Sequence, residues 1–170
     1  MRIGIVGSDE RAMAIGRLMR SGGHRVTFAD PAGQERAKRA AAAVGVGDES
    51  PYRQAMCSDL LVLAVRRGQI DRAVLAMGSG AKATIVDAVE DERGNASRSG
   101  AEVLACKLDT HRIVRALIHI PQSGSNVQIC GDDANSKLLL DRALHVCGCV
   151  TTDRGVLSNA SELEAPAAAA

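Results

Sequence analysis

Gly7, Asp9 and Ala12 stand between an apolar run, RIGIV, and a patterned helix, ERAMAIGRLM, at offsets of two and five residues. In a dinucleotide-binding βαβ unit the first of these positions makes a tight turn. The second lets the backbone touch a pyrophosphate, and the third lets helix and strand pack closely. Here the middle position carries an acid. Two like charges about 4 Å apart repel by roughly 4 kcal/mol at an effective dielectric near 20, so Asp9 opposes the phosphates that the turn is built to receive. Three arrangements answer the conflict: Arg11 holds Asp9 or a phosphate, a small rotation aims Asp9 at solvent, or Ser8 or Asp9 caps the helix. In the last case Asp9 takes the anion position itself.

A second acid, Asp30, closes the run RVTFAD and follows Gly7 by 23 positions. That is close to the ~20 expected of the acid that binds a ribose 2′-hydroxyl, and an acid there favours NAD over NADP. Equally, Asp30 with Pro31 can cap the helix beginning near Gly33. Arg36 and Lys38 on that helix offer charge to a 2′-phosphate. At the end of the apolar run Asp59–Val65, the residues Ala64, Val65 and Arg66 fall where the nicotinamide half of such a cofactor lies. Arg66 or Arg67 either reaches a phosphate or is solvated.

The elements that must position these groups alternate along the chain. Ala12, Ile15, Leu18 and Met19 recur at helical spacing and make one apolar stripe ending at Gly22 and Gly23. Helices are expected at Gln34–Val44, Pro51–Cys57, Ile70–Met77 and Ala101–Leu108. Strands are expected at Asp59–Val65, Ala83–Ala88, Ile113–Ile120, Val127–Cys130 and near Cys149–Thr152. Glu90–Gly100 reads as a polar loop able to act as a substrate lid. In GDDANSKLLLDRALH, Asp132, Asp133 and Asn135 are capping residues, and Leu138, Leu139, Leu140, Ala143 and Leu144 supply apolar side chains. Alternation of this kind predicts an α/β fold, a Rossmann-like doubly wound, mostly parallel sheet with helices on both faces. Residues 1–164 are expected to form one dinucleotide-binding domain, followed by a low-complexity tail, 165–170.

Composition narrows the functions. The 170 residues are 46% apolar, enough for one core. With 21 basic and 20 acidic residues the formal charge is +1 and no basic run occurs, so nucleic acid is not an expected partner. Phe28 and Tyr52 are the only aromatics, which leaves no platform for base stacking. No apolar stretch approaches ~18 residues and the first residues are already a strand, so the expectation is a cytoplasmic protein without membrane contact. Cys57, Cys106, Cys130, Cys147 and Cys149 lack a CxxC pair and a histidine cluster, and are expected to be reduced core residues rather than metal ligands. His119 is expected at a strand end with a hydrogen bond.

ICGDDANSKLLLDRALHVCG followed by VTTDRGVLSNASELE is similar to the closing strand, Gly-Asp-Asp turn, long helix and Asp-x-Gly-x-Leu segment (here Asp153, Gly155 and Leu157) of coenzyme F-420-dependent NADP oxidoreductases. That family also resembles the nucleotide domains of pyrroline-carboxylate reductases and of membrane metalloreductases. The similarity runs from Met1 to about Glu164, and Pro121 matches. It implies hydride transfer between nicotinamide and a deazaflavin ring, which needs two rings held face to face and no side-chain acid or base. Three positions depart from the family: Asp9 replaces a glycine, Asp30 stands where NADP-selective relatives have Ser-Arg, and Ile118 stands where relatives place His or Asn. Family members continue into apolar helices that complete the deazaflavin pocket and the dimer contact. A homodimer is therefore a possible assembly, and an incomplete deazaflavin site is expected.

Two functions follow. One is an NAD(P)-binding oxidoreductase with Gly7, Ala12 and the first-helix amides at the pyrophosphate and Asp30 at the ribose. The other is a catalytically impaired module of the same fold that serves in binding or assembly, with Asp9 filling the anion position.

Overall fold

A computed structural model describes residues 1–46, 55–77, 82–89 and 99–164. Among these residues seven strands form one sheet: β1 (Arg2–Val6), β2 (Arg25–Ala29), β3 (Leu60–Leu63), β4 (Thr84–Asp87), β5 (Ile113–Arg115), β6 (Asn126–Gly131) and β7 (Val150–Asp153). Their spatial order is β2-β1-β3-β4-β5-β6-β7. The first five run parallel, β6 opposes β5, and β7 follows β6. The reversal at β6 follows from chain length: ten residues separate β5 from β6, while a parallel crossover needs a dozen or more.

Helices cover both faces. They are α1 (Glu10–Ser21), α2 (Gln34–Val44), α3 (Ile70–Met77), α4 (Gly100–Leu108), α5 (Ala134–His145) and α6 (Ala160–Glu164). Ile3, Ile5 and all of Leu60–Leu63 are fully buried, so β1 and β3 are apolar without alternation, as expected for strands sandwiched between helix layers. One core packs α1, α2 and α5 against the sheet; the other packs α3, α4 and α6 on its opposite face. The α1 stripe is as the spacing predicts, with Ala12, Ile15, Leu18 and Met19 buried. Gly16 is buried beside them, and a Cβ there would come within 2.5 Å of the Phe28 ring. That contact sets how closely α1 lies on β2.

Several expectations need correction. The strand expected over Ile113–Ile120 stops at Arg115, because Leu117 adopts φ +58 and turns the chain out of the sheet. Of the five apolar side chains read on the helix after the Gly-Asp-Asp turn, Leu138 is 46% exposed, since α5 rests on the sheet through Leu140, Ala143 and Leu144. Cys57 and Cys106 are exposed, and only Cys130, Cys147 and Cys149 are buried. Gly33, rather than Asp30, is the residue preceding α2. Of the expected helix Pro51–Cys57, Ala55 and Met56 are helical, while Pro51–Gln54 lie outside the described residues. The same holds for residues 90–98 of the expected lid loop and for the tail 165–170.

Candidate functional site

The order β2-β1-β3 puts the chain's topological switch at β1, whose neighbours lead to helices on opposite faces of the sheet. Loops leaving the carboxyl ends of β1 and β3 therefore diverge and open a crevice, the place where open α/β sheets bind ligands. Here that crevice is a cleft of about 220 Å³ lined by Gly7, Ser8, Asp9, Asp30, Ala64 and Arg66, with Arg36 and Gln69 at its sides.

Each residue arrives there for a local reason. Gly7 has φ +132, and a Cβ on it would collide with the Ala64 carbonyl oxygen, so only glycine allows β1 to turn this close to β3. Its N–H donates to Ala29 O (2.8 Å), and Ala64 N donates to Val6 O (2.8 Å), which ties the ends of β2, β1 and β3 together. Ala12 is fully buried beneath the turn, 3.4 Å from where that Cβ would stand. These contacts account for two of the three turn positions.

At the remaining position, Asp9 is the N-cap of α1: its Oδ1 accepts from Ala12 N (2.9 Å), and its backbone O from Met13 N (3.0 Å). Of the three arrangements open in the sequence, capping is the one adopted. Arg11 spans the carboxyl edge instead, donating from Nη1 to Ala88 O (2.9 Å) beyond the end of β4. A guanidinium thus lies across the strands between which a ligand would extend.

Asp30 is buried, accepting from Ala32 N at Oδ1 (2.7 Å) and from the Ser8 hydroxyl at Oδ2. The Ser8–Asp30 bond joins the two loops that a ribose would bridge. Arg36 approaches the same cleft from α2. Val65 follows the alternation of its strand and is buried against α3 and α4 on the other face, so its side chain lies away from the cleft. Arg66 is exposed; its N–H donates to Gln69 Oε1 (3.3 Å), and its carbonyl accepts from Gln69 N (2.8 Å). The spacing RRGQ, with a glutamine three residues after the arginine, carried that reciprocal turn in the sequence.

Sequence reading missed a second feature of this edge. Asp87 and Arg115 close β4 and β5 as register partners, each 1% exposed, with Arg115 Nη1 3.1 Å from Asp87 Oδ2 and 2.9 Å from the Val89 carbonyl. Two opposite charges inside apolar runs, TIVD and IVRALI, were the available signal. Cys130 is the register partner of Arg115, and burial pushes its thiol up to about 12, so it stays protonated and inert at neutral pH. His119 is exposed and has no hydrogen-bond partner among the described residues, contrary to the bonded strand-end residue expected. Among the same residues no group of three His, Cys, Asp or Glu side chains is placed to hold a metal ion. No helix among the described residues is long and apolar enough to cross a membrane.

Gly7, Asp9 and Asp30 thus line one cleft at this edge, with Ala12 buried beneath the turn. No protein-family model matches the sequence, and no curated protein matches it either. Solved structures do. A hypothetical protein from Sinorhizobium meliloti superposes with a TM-score of 0.79 at 16% identity, covering 94% of this chain and 88% of its own. A protein described as an F420-dependent NADP-reductase, from Arthrobacter sp. FB24, gives 0.73 at 16% identity over 95% and 88%. Prephenate dehydrogenase from Aquifex aeolicus, solved with hydroxyphenyl propionate and NAD+, gives 0.65 at 14% identity. There the match covers 91% of this chain and 60% of the dehydrogenase. The Rossmann-like, mostly parallel sheet with helices on both faces is shared with these structures.

Proposed function

We propose that the chain binds a nicotinamide dinucleotide along the carboxyl edge of β2, β1, β3 and β4 and serves as an oxidoreductase of the coenzyme F-420-dependent NADP oxidoreductase type. The observation that carries this reading is the convergence of Gly7, Ser8, Asp9, Asp30, Ala64 and Arg66, drawn from three loops, on one cleft at the switch point. Resemblance to structures named for NADP and solved with NAD+ supports it. The bound cofactor would supply the hydride. This chain's own residues supply binding and orientation: the Gly7 turn admits the pyrophosphate, Asp30 with Ser8 fixes the ribose, and Ala64 with Arg66 borders the nicotinamide half. Arg36 and Arg66 are the cations that line the cleft, while Arg11, bonded to Ala88 O, is not part of its lining. Residues 1–164 act as one domain in this reading, with a homodimer as its assembly.

Asp30 favours the free ribose of NAD(H), whereas Arg36 on the same cleft favours the 2′-phosphate of NADP(H). Titration with NADH and with NADPH, followed by nicotinamide fluorescence, tests binding and selectivity together. Saturable binding by either is the expected result; dissociation constants above about 1 mM for both, or about −4 kcal/mol, overturn the proposal. In that event the second reading stands, a module of this fold used for binding or assembly. The Asp9 cap on α1 favours it, because a carboxylate already takes the helix's anion position.

A further inference from the structure

Where Leu117 turns the chain out of the sheet, a second cavity of about 330 Å³ opens beyond β5. Its size falls at the small end of ligand pockets. Ile118, Ile120 and Pro121 from the segment after β5, Val127 from β6 and Leu163 from α6 give it apolar walls. Leu117 is a non-glycine residue held at φ +58 and 3% exposed, a conformation that costs free energy and that the surrounding packing maintains.

One strong donor group faces these walls. Arg154 follows β7, and its backbone N–H donates to Ile129 O (2.7 Å), which fixes its Cα beside the cavity. Its guanidinium has no hydrogen-bond or ion-pair partner among the described residues. Glu162 lines the same cavity without forming an ion pair to it, and His119 lies there equally unbonded. A planar guanidinium that is always charged and presents paired donors matches a carboxylate. Aliphatic walls without a Phe, Tyr or Trp side chain match a hydrocarbon body rather than a flat ring system.

We propose that this cavity binds a small aliphatic carboxylate, with the carboxylate on Arg154 and the chain along Ile118, Val127 and Leu163. The site stands apart from the dinucleotide cleft, so its fate is independent of the cofactor reading.

The test is an amide and arginine-Nε NMR titration of the full chain with hexanoate, with hexan-1-ol and hexylamine as probes of equal length, and without nucleotide. Hexanoate is expected to give saturable shifts confined to Ile118–Ile120, Asn126–Gln128 and Arg154. Hexan-1-ol and hexylamine should bind more weakly. R154Q, whose lost guanidinium has no hydrogen-bond or ion-pair partner among the described residues, should weaken hexanoate about tenfold, the loss expected for one charge-assisted pair, and R154K should recover part of it. No saturable shift with hexanoate, shifts mapping elsewhere, an unchanged affinity in R154Q, or tighter binding of hexylamine would each overturn the assignment.

Discussion

Replacing Asp9 by asparagine isolates the one feature of the cleft that works against a dinucleotide. Asparagine caps helices as well as aspartate does, so the bond now made to Ala12 N (2.9 Å) is retained and stability should change by no more than a few tenths of a kcal/mol. Only the charge is lost. A phosphate taking first-turn amides would sit about 4 to 6 Å from the carboxylate, a repulsion of roughly 3 to 4 kcal/mol at an effective dielectric near 20. Asp9 is only partly buried, and at physiological salt the screening length is about 8 Å, which leaves about 1.5 kcal/mol. D9N should therefore bind NADH or NADPH about tenfold more tightly than the natural chain. Glycine at the same position removes the charge and the cap together, so D9G should show the same gain with a small loss of stability.

The assay is the nicotinamide fluorescence titration, run at about 0.01 M and about 1 M salt, where screening lengths are about 30 Å and about 3 Å. The advantage of D9N over the natural chain must shrink toward unity at high salt. Equal affinities at low salt, or an advantage that salt leaves untouched, would refute the claim that the Asp9 charge and the pyrophosphate compete for the start of α1.

Other consequences can be checked on the free protein. R115A takes from the buried Asp87 carboxylate the guanidinium 3.1 Å away and should destabilise the fold by about 3 to 5 kcal/mol in urea titration, while an exposed control such as R154Q should have no measurable effect. Thiol titration of the native protein with a disulfide reagent should count two fast-reacting groups, Cys57 and Cys106, and three more only after denaturation; a fast third thiol would contradict the burial of Cys130, Cys147 and Cys149. Three carboxyls titrate below their ordinary range. Asp59 is lowered by hydrogen bonds from the Arg2 N–H and guanidinium, and Asp133 by the Ser136 hydroxyl; Asp153 is pushed up by burial but held lower on balance by Lys137 and the Gly155 N–H. A folded-state value below the unfolded one, near 3.9, gives stability that is present above about pH 4 and is lost as the pH falls through the folded values. The triple change D59N, D133N and D153N should flatten that acid limb, and an equally steep limb would show that other groups govern it.

What the sequence made legible follows from how much of each decision was local. The limits of α2 and α3 coincide with the stretches read as Gln34–Val44 and Ile70–Met77, because apolar spacing and flanking glycine or turn residues act within a few positions. The glycine turn, the Asp30 position and the ends of β1 and β3 are likewise set by short-range geometry, and they supplied six residues of one cleft. Asp9 left three arrangements open because the choice among them depends on partners elsewhere. Arg11 is directed to Ala88, 77 residues on, and Ser8 to Asp30, 22 residues on, contacts that exist only once β1, β2 and β4 are aligned.

The early end of β5 belongs to the same class of decision. Ile113–Ile120 is apolar enough to continue as a strand, yet β6 arrives antiparallel and places Cys130 and Gly131 opposite Arg115 and Val114. A Cβ on Gly131 would press on the Ile113 carbonyl, so the two strands approach closely there. Leu117 then turns away at φ +58, and the residues it releases, Ile118 to Pro121, become the wall of a cavity instead of a fourth rung of strand. His119 shows the consequence for function. Read as part of a strand, it faces one side of a sheet and wants a bond; as part of the released segment it stands exposed and unbonded at the rim of a pocket that also holds Arg154. The side chains best placed to receive a ligand on this half of the edge are thus those whose position the strand pattern misjudged. At a sheet edge, binding capacity arises where regular pairing stops, and periodicity in a sequence reports only where pairing continues.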